Sequence, residues 1–121
     1  MTTHEVTIGI IGAGGIVRQR HMPGLQKIPG ARVLAVSNRT RESGERFANE
    51  YNVPHVLDDW HKLLDMKEIN AVCIGTWPNM HHPMTLAALD AGKHVFCQAR
   101  MALNVHEARE MLRKAQENPH L

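Results

Sequence analysis

The stretch Ile8-Gly-Ile-Ile-Gly-Ala-Gly-Gly-Ile16 decides the fold, because an apolar run typical of a buried strand leads into a glycine-rich turn and then an amphipathic segment. Gly12 permits the tight turn between strand and helix, and Gly14 lets the backbone approach a ligand with no Cβ atom in the way. Unpaired N–H groups at the start of the helix then face a bound anion. This order predicts that the pyrophosphate of a dinucleotide binds at Gly12, Gly14 and Gly15, with Ile16 as a further cofactor-binding residue.

The glycines alone are a weak signal for nucleotide binding. Glycine-rich turns also close strands for geometric reasons, and the third position of the dinucleotide fingerprint holds Val17, where a small residue normally lies. The rest of the chain therefore has to decide between a phosphate site and a structural turn.

The composition indicates one globular domain with little charge bias. The chain has 121 residues, 43% of them hydrophobic, and 14 basic against 12 acidic residues give a net charge of +2. Because the charges are scattered, we expect neither a nucleic acid nor a membrane surface as partner. No apolar run approaches the ~18 residues of a membrane span, and Met1-Thr-Thr-His-Glu5 lacks the layout of a secretory signal, so we expect a cytoplasmic protein.

The cysteine and histidine spacings argue against redox and metal chemistry. Cys73 and Cys97 each lie in an apolar run, which favours buried thiols over a redox pair in a reducing compartment. The nine histidines include no His-x3-His pair, and the two cysteines form no Cys-x2-Cys pair. We therefore expect no metal site.

Strand and helix signals alternate along the chain with short connections. The predicted strands are 6–11, 32–37, 55–57, 71–75 and 94–97. The first predicted helix follows the glycines and is interrupted near Met22-Pro23-Gly24. The second follows a cap at Thr40, the third a cap at Asp58 or Asp59, and the fourth begins at about Pro83. The fifth runs from the Asn104/Glu107 capping pair to Asn118-Pro119. This alternation predicts an α/β fold of a single domain, a doubly wound parallel sheet of Rossmann type with strand order 3-2-1-4-5.

The buried faces of the last two helices are predicted from helical spacing. Each set recurs three or four residues apart. The two predicted faces consist of Met84, Ala87, Ala88 and Ala91, and of Val105, Ala108, Met111, Leu112 and Ala115.

The loop after the second strand is expected at the adenosine end of the ligand crevice. It offers no carboxylate to the ribose hydroxyls. Asn38 can hydrogen-bond a ribose hydroxyl without repelling a phosphate, and Arg39, with Thr40 or Arg41 nearby, can pair with a 2′-phosphate and stack on adenine. These residues favour NADP(H) over NAD(H). The alternative is that Arg39 and Arg41 are solvated charges at the start of a helix.

The loop after the fourth strand is expected near the nicotinamide half. Thr76 and Asn79 supply short hydrogen-bonding groups, Pro78 fixes the loop, and His81 can reach a ribose or a phosphate. The alternative for Asn79 and His82 is a structural role at the end of the strand and the start of the helix.

Several segments together resemble a known family. The run 10–16, Thr76 with Pro78-Asn79 and His81, the run 87–95 and the helix after Leu103 are similar to the N-terminal half of the Gfo/Idh/MocA family, the group of glucose-fructose oxidoreductase and inositol dehydrogenase. The resemblance covers the whole chain. It implies an NAD(P)-dependent oxidoreductase acting on sugars, inositols or related hydroxyl and carbonyl compounds, with a second α/β domain that carries most substrate contacts.

One departure from the family concerns the segment after the fifth strand. Where the family has Glu-Lys-Pro, this chain has Gln98-Ala99-Arg100. The resemblance places Gln98 at the cofactor and Ala99 at the position of a lysine that binds nicotinamide ribose and substrate. The catalytic residues therefore stay unknown, with Arg100 as a candidate substitute that could orient an acidic substrate but would transfer protons poorly.

A second departure concerns length, because family members continue into a substrate domain. We expect residues 1–121 to be an NAD(P)-binding domain cut from a larger protein. Alone it would bind cofactor weakly and catalyse nothing, because substrate binding would need the missing domain. We expect it to stay monomeric or to self-associate weakly through Met80 and Met101. The alternative, favoured by Ala99, is a non-catalytic dinucleotide-binding sensor or scaffold module.

Overall fold

One parallel five-stranded sheet organises the molecule. The computed structural model describes residues 5–121. Residues 1–4 lie outside the described part, and with them most of the Met1–Glu5 segment in which no secretory signal is expected. The strands are β1 (Val6–Ile11), β2 (Ala31–Ser37), β3 (His55–Val56), β4 (Ala71–Ile74) and β5 (His94–Cys97). All neighbours pair in parallel, in the order β3-β2-β1-β4-β5. The predicted α/β class, Rossmann-type sheet and strand order are confirmed.

Helices connect the strands. The helices are α1 (Met22–Gln26), α2 (Arg41–Tyr51), α3 (Trp60–Leu64), α4 (His81–Asp90) and α5 (Val105–Glu117). A π-helical segment, Val17–His21, leads directly into α1, and a short 3-10 turn, Pro78–Met80, leads into α4. None of the helices within residues 5–121 combines the length and apolar character needed to cross a lipid bilayer.

Two apolar cores lie on opposite faces of the sheet. One core joins Ile8, Ile10 and Val36 of the sheet to Val17 and Phe47 of the helical segments. The other joins sheet residues such as Ile11, Val72 and Ile74 to Leu63 of α3 and Met84 of α4. Because both faces are covered, the inner strands β1 and β4 bury most of their residues, as parallel strands do.

The predicted helix caps are found. Oγ1 of Thr40 accepts a hydrogen bond from Ser43 N, and Oδ1 of Asp59 accepts one from His61 N. At the start of α5, Oδ1 of Asn104 accepts from Glu107 N, while the Glu107 carboxylate accepts from the backbone N–H of Leu103. Each cap satisfies an amide that the helix itself leaves without a partner.

The predicted interruption near Met22-Pro23-Gly24 is wrong as a break in the helix. Residues 15–26 are helical without a gap, and the irregularity is the π-helical turn Val17–His21 immediately upstream. Pro23 has no N–H to donate, and the π turn replaces the regular hydrogen-bond pattern that its ring would otherwise disturb.

The predicted buried faces of α4 and α5 are wrong in part. Met84, Ala88 and Met111 are buried, but Ala91 is exposed, and Val105 and Leu112 are 64% and 58% exposed. The helix α5 packs mainly on α4, so only a narrow stripe of its surface is covered.

The two cysteines are free thiols on opposite faces of the sheet. Cys73 pairs in register with Phe96, and Cys97 pairs with Ile74. Because neighbouring residues of a strand point to opposite faces, the two sulfur atoms are separated by the sheet. This arrangement does not allow a disulfide between them without a rearrangement of the strands.

Candidate functional site

A cavity of about 610 Å³ opens at the carboxyl ends of the strands, where parallel α/β sheets bind ligands. Six of the predicted site residues line it: Gly12, Gly14, Asn38, Arg39, Thr76 and Asn79. The other predicted residues, Gly15, Ile16, Pro78, His81 and Gln98, lie outside its lining. The topology therefore brings the glycine turn and the loops after β2 and β4 together, as the sequence predicts.

The turn after β1 requires glycine at one position for reasons of packing. Gly12 has φ +83°, and a Cβ atom there would lie 2.7 Å from the backbone N of Thr76. Gly75 faces it, since a Cβ atom at Gly75 would lie 2.6 Å from Gly12 O and 2.7 Å from a methyl of Val17. The buried Val17 at the third fingerprint position is thus accommodated because residue 75 has no side chain.

Gly14 and Gly15 are not required by the protein itself. A Cβ atom at either position would meet no protein atom within 4 Å, and neither residue has a positive φ. The fold would accept alanine at both positions. Glycine at these two positions leaves the backbone open to close approach by a ligand, and this open cradle fits a pyrophosphate.

The amides of the turn divide into occupied and available groups. Ala13 N donates to Asn38 Oδ1 at 2.7 Å, and Gly14 N donates to Gly12 O at 3.0 Å. Arg18 N donates to Gly14 O at 3.1 Å, which is the first hydrogen bond of the helical segment. The amides of residues 15–17 come before it in the chain and have no carbonyl partner within the helix. These amides include those of the predicted residues Gly15 and Ile16, and they lie at the N-terminal end of the helical segment, the part of a helix that can bind an anion.

The side chain of Asn38 braces the loops. Besides accepting from Ala13 N, its Nδ2 donates to Ser43 Oγ at 2.9 Å and to Ala13 O at 3.4 Å. The amide group therefore joins the loop after β2 to the glycine turn and to α2. A ribose hydroxyl bound at Asn38 would therefore hydrogen-bond to side-chain atoms that already bond to Ala13 and Ser43.

The two arginines after β2 differ in their partners. Arg41 donates to Asp58 and to Glu45, both at 2.9 Å, and these bonds raise the pKa of its guanidinium. Within residues 5–121, Arg39 makes no salt bridge; its guanidinium lies 5.3 Å from the ring centroid of Trp77. Arg39 is thus the cation available to an anionic ligand, and the Asp58 carboxylate on the cavity wall is already paired.

His81 lies beneath the loop after β4 and is fully buried. Its Nδ1 lies 2.6 Å from Arg100 O, and its Nε2 lies 2.8 Å from Thr76 O. A carbonyl oxygen only accepts, so a doubly protonated ring satisfies both contacts and a neutral ring satisfies one. His81 thus ties this loop to the segment after β5, and its nitrogens are already used by the protein.

The segment after β5 is held at the Gln98 side chain as well as at Arg100 O. The side-chain oxygen of Gln98 lies 2.5 Å from His21 Nε2, which connects it to the π-helical segment. Ala99 and Arg100 are exposed. The predicted surface methionines differ, since Met101 is 49% exposed whereas Met80 is only partly exposed and lines the cavity.

Several cavity residues were not predicted to bind ligand. Asp58 and Trp60 follow β3, Ser43 lies in the first turn of α2, and Trp77 follows Thr76. The rule that the carboxyl ends of all parallel strands share one edge points to Asp58 and Trp60 as well, because β3 belongs to the same sheet.

Metal binding is not indicated within the described part of the chain. No group of three or more His, Cys, Asp or Glu side chains in residues 5–121 is arranged to hold a metal ion. The imidazole of His82 lies beside Glu110 and Glu107, at 3.4 and 3.9 Å, as part of the contact between α4 and α5.

Comparison with known proteins gives one consistent result. The family model of Gfo/Idh/MocA, an oxidoreductase family with an NAD-binding Rossmann fold, matches residues 6–121. A 1,5-anhydro-D-fructose reductase of Ensifer adhaerens is 32% identical over 109 residues, covering 90% of this chain and 32% of that protein. An inositol 2-dehydrogenase/D-chiro-inositol 3-dehydrogenase of Shouchella clausii is 35% identical over 99 residues, covering 80% and 28%.

Solved structures agree with this result. The apo scyllo-inositol dehydrogenase of Lactobacillus casei superposes with a TM-score of 0.91 at 25% identity, covering 100% of this chain and 36% of that one. The 3-ketoreductase KijD10 of Actinomadura kijaniata, in complex with NADP, gives 0.88 at 25% identity, covering 94% and 36%. The chain thus spans about a third of the length of these relatives.

Proposed function

The chain belongs to the Gfo/Idh/MocA oxidoreductase family as its NAD(P)-binding Rossmann domain, and on this premise we propose that it binds NADP(H) across the crevice above β1. The observation that carries the proposal is the open cradle at Gly14 and Gly15, where the protein itself makes no use of the absent side chains. The pyrophosphate would lie on the amides at the start of the helical segment, Gly15 and Ile16 included.

The preference for the 2′-phosphorylated cofactor is supported by the charges at the adenosine end. Arg39 has no acidic partner among residues 5–121, and Asp58, the carboxylate on the cavity wall, is neutralised by Arg41. Asn38 adds no negative charge at the place where NAD-binding domains carry an Asp or Glu. A relative of similar fold, KijD10, is also described in complex with NADP.

The nicotinamide end would be formed by the loop after β4 and the segment after β5. Thr76 and Asn79 line the cavity there, and Pro78 begins the 3-10 turn that shapes the loop. His81 would act through the backbone carbonyls of Thr76 and Arg100 that it contacts, and Gln98 through its side-chain contact with His21.

The whole protein would transfer hydride between the nicotinamide and a sugar-like or other hydroxyl or carbonyl substrate, as the names of its relatives suggest. The cofactor supplies the hydride chemistry when bound. Substrate contacts would come from a further domain, and the described chain alone would be inactive. Exposed Arg100 is the candidate that orients an acidic substrate in place of the absent family lysine.

A non-catalytic dinucleotide-binding module is the second candidate function. Ala99 favours it, because a methyl group can neither donate a hydrogen bond to a substrate hydroxyl nor stabilise a developing alkoxide. Both functions require cofactor binding, so binding is the first property to measure.

Calorimetric titration of the 121-residue chain with NADPH and with NADH tests the proposal. We expect tighter binding of NADPH, and Arg39→Asp should weaken NADPH by about 1.5–3 kcal/mol while changing NADH little. Arg46→Ala is the matched control, since Arg46 is exposed on α2 and does not line the cavity. Absence of binding for both cofactors at millimolar concentration contradicts the binding proposal, and equal affinities contradict the NADP preference.

A further inference from the structure

Trp77 is the side chain at the cavity that the proposed function leaves unexplained. It lines the cavity and is 71% exposed, the largest exposed fraction among the large hydrophobic residues of the described chain. Trp60 lines the same cavity but is half-buried, with its ring stacked against His61. Among the residues that line the cavity, Trp77 is therefore the highly exposed aromatic ring.

The backbone that carries this indole is fixed by its own hydrogen bonds and by the following proline. Trp77 precedes Pro78, which favours the extended dihedrals observed, φ −62° and ψ 147°. Its carbonyl accepts hydrogen bonds from Met80 N at 3.0 Å and from Thr76 Oγ1 at 3.3 Å. A flat group binding on the ring would therefore meet a surface whose backbone is already ordered.

Arg39 covers one side of this surface from across the crevice. Its guanidinium lies 5.3 Å from the indole centroid, within the range of a cation–π contact. Arg39 follows β2 and Trp77 follows β4, with β1 between them in the sheet. The contact therefore bridges the crevice over the glycine turn that ends β1.

We propose that Trp77 is the stacking surface for the adenine base of the cofactor, and that the base opens the Arg39–Trp77 bridge on binding. This inference rests on the proposed NADP(H) function. A base stacked between two planar groups needs roughly 7 Å between them, twice the ordinary contact distance, so Arg39 has to leave the ring. The 2′-phosphate offers the displaced guanidinium a bidentate partner.

This exchange couples two parts of the ligand. Adenine without the 2′-phosphate displaces the guanidinium from Trp77 and gives it no anionic partner. The 2′-phosphate without a base leaves the indole face uncovered. A ligand with both groups satisfies Arg39 and Trp77 together, so Trp77 contributes to the selection of NADP(H) and is a specificity-determining residue.

Half-cofactors separate the two ends of the site. We would titrate the chain with 2′,5′-ADP, which carries adenine and the 2′-phosphate, and with nicotinamide mononucleotide, using calorimetry. Trp77→Ala should weaken 2′,5′-ADP about tenfold, the usual effect of removing an aromatic partner from a base, while Trp77→Phe keeps most of the affinity. Phe96→Ala is the control, since Phe96 is 58% exposed but lies outside this cavity.

A fluorescence measurement on a protein with an unchanged Trp77 adds a second test. In a Trp60→Phe background, 2′,5′-ADP should quench the emission of Trp77, and nicotinamide mononucleotide should not. The inference is overturned if Trp77→Ala binds 2′,5′-ADP as the wild type does, or if nicotinamide mononucleotide is the half that quenches. Failure of the proposed function is a different result, because the unmodified chain then binds neither NADPH nor NADH.

Discussion

The backbone N–H of Ala13 donates a 2.7 Å hydrogen bond to Oδ1 of Asn38, which fixes the loop after β2 against the glycine turn. The amide Nδ2 of the same side chain continues the connection to Ser43 at the start of α2. The residue that the sequence places at the adenosine ribose is therefore also a brace between three segments of the site.

Asn38→Asp should change cofactor preference more than stability. The carboxylate still accepts from Ala13 N, and the Ser43 hydroxyl can donate to it, so most of the brace is kept. The added negative charge opposes a 2′-phosphate, and we expect the NADPH-to-NADH affinity ratio to fall about tenfold. Calorimetric titration with both cofactors measures this ratio.

Asn38→Ala is the companion variant, because it removes the brace without adding charge. It should weaken both cofactors to a similar extent and lower the Tm. A variant that binds both cofactors like the wild type would show that the turn holds its shape without Asn38.

Gly14→Ala and Gly12→Ala should separate ligand binding from folding. An added methyl at residue 14 meets no protein atom, so stability should stay the same or rise by up to about 1 kcal/mol through the unfolded chain. At residue 12 the positive φ and the Thr76 backbone oppose a methyl, and we expect a loss of about 2 kcal/mol. Urea unfolding measures both changes.

The same pair should differ in cofactor affinity. Gly14→Ala, although folded, should bind NADPH at least about tenfold more weakly, because its methyl occupies the approach of the pyrophosphate. Normal NADPH binding by Gly14→Ala would mean that the phosphates lie elsewhere, and a stable Gly12→Ala would show that the turn relaxes more easily than its geometry indicates.

Local signals in the sequence were sufficient for the sheet and its helix caps. The caps at Thr40, Asp59 and the Asn104–Glu107 pair follow from short-range patterns of capping residues. The strand order follows from the alternation of strands and helices, which predicts a Rossmann-type fold. The exposure of Val105 and Leu112 could not be predicted from the sequence. Helical spacing shows that a helix has an apolar face, but not whether another element covers that face.

The site was predictable at the level of loops and less so at the level of atoms. The topology placed Arg39 and Thr76 at one crevice, as expected. The bonds of Asn38 to Ala13 and of His81 to two carbonyls depend on side-chain conformations, and spacing along the chain carries no information on them. Contacts between loops that are distant in sequence, such as that of Arg39 with Trp77, could not be predicted for the same reason.

Cys73 should resist thiol reagents in the folded protein. It is 4% exposed, and burial raises its pKa to about 11, so roughly one molecule in a thousand carries the reactive thiolate at pH 8. Cys97 is partly exposed, although burial raises its pKa as well. A chromogenic disulfide reagent at pH 8 should detect at most one thiol in the native chain and two in guanidinium chloride.

The raised pKa of Cys73 also predicts a pH dependence of stability. The ordinary thiol pKa is 9.0 and the folded value is about 11, so between these values the folded state holds the proton more strongly. The free energy of unfolding should therefore fall as the pH rises from 9 to 11, by about 3 kcal/mol at most. Cys73→Ala should lack this part of the decrease, and an identical pH profile for the two proteins would contradict the assignment.

His81→Leu should destabilise the chain and disturb the nicotinamide end of the site. The leucine fills a similar volume but removes the ring nitrogens that contact Thr76 O and Arg100 O, and we expect a loss of about 2 kcal/mol in urea unfolding. The release of the segment after β5 should weaken nicotinamide mononucleotide more than 2′,5′-ADP. His82→Leu is the matched control, because the neighbouring ring faces Glu107 and Glu110 instead of the loop. If His81→Leu is as stable as the wild type, or if the two half-cofactors weaken equally, His81 does not hold this loop in the way that the geometry indicates.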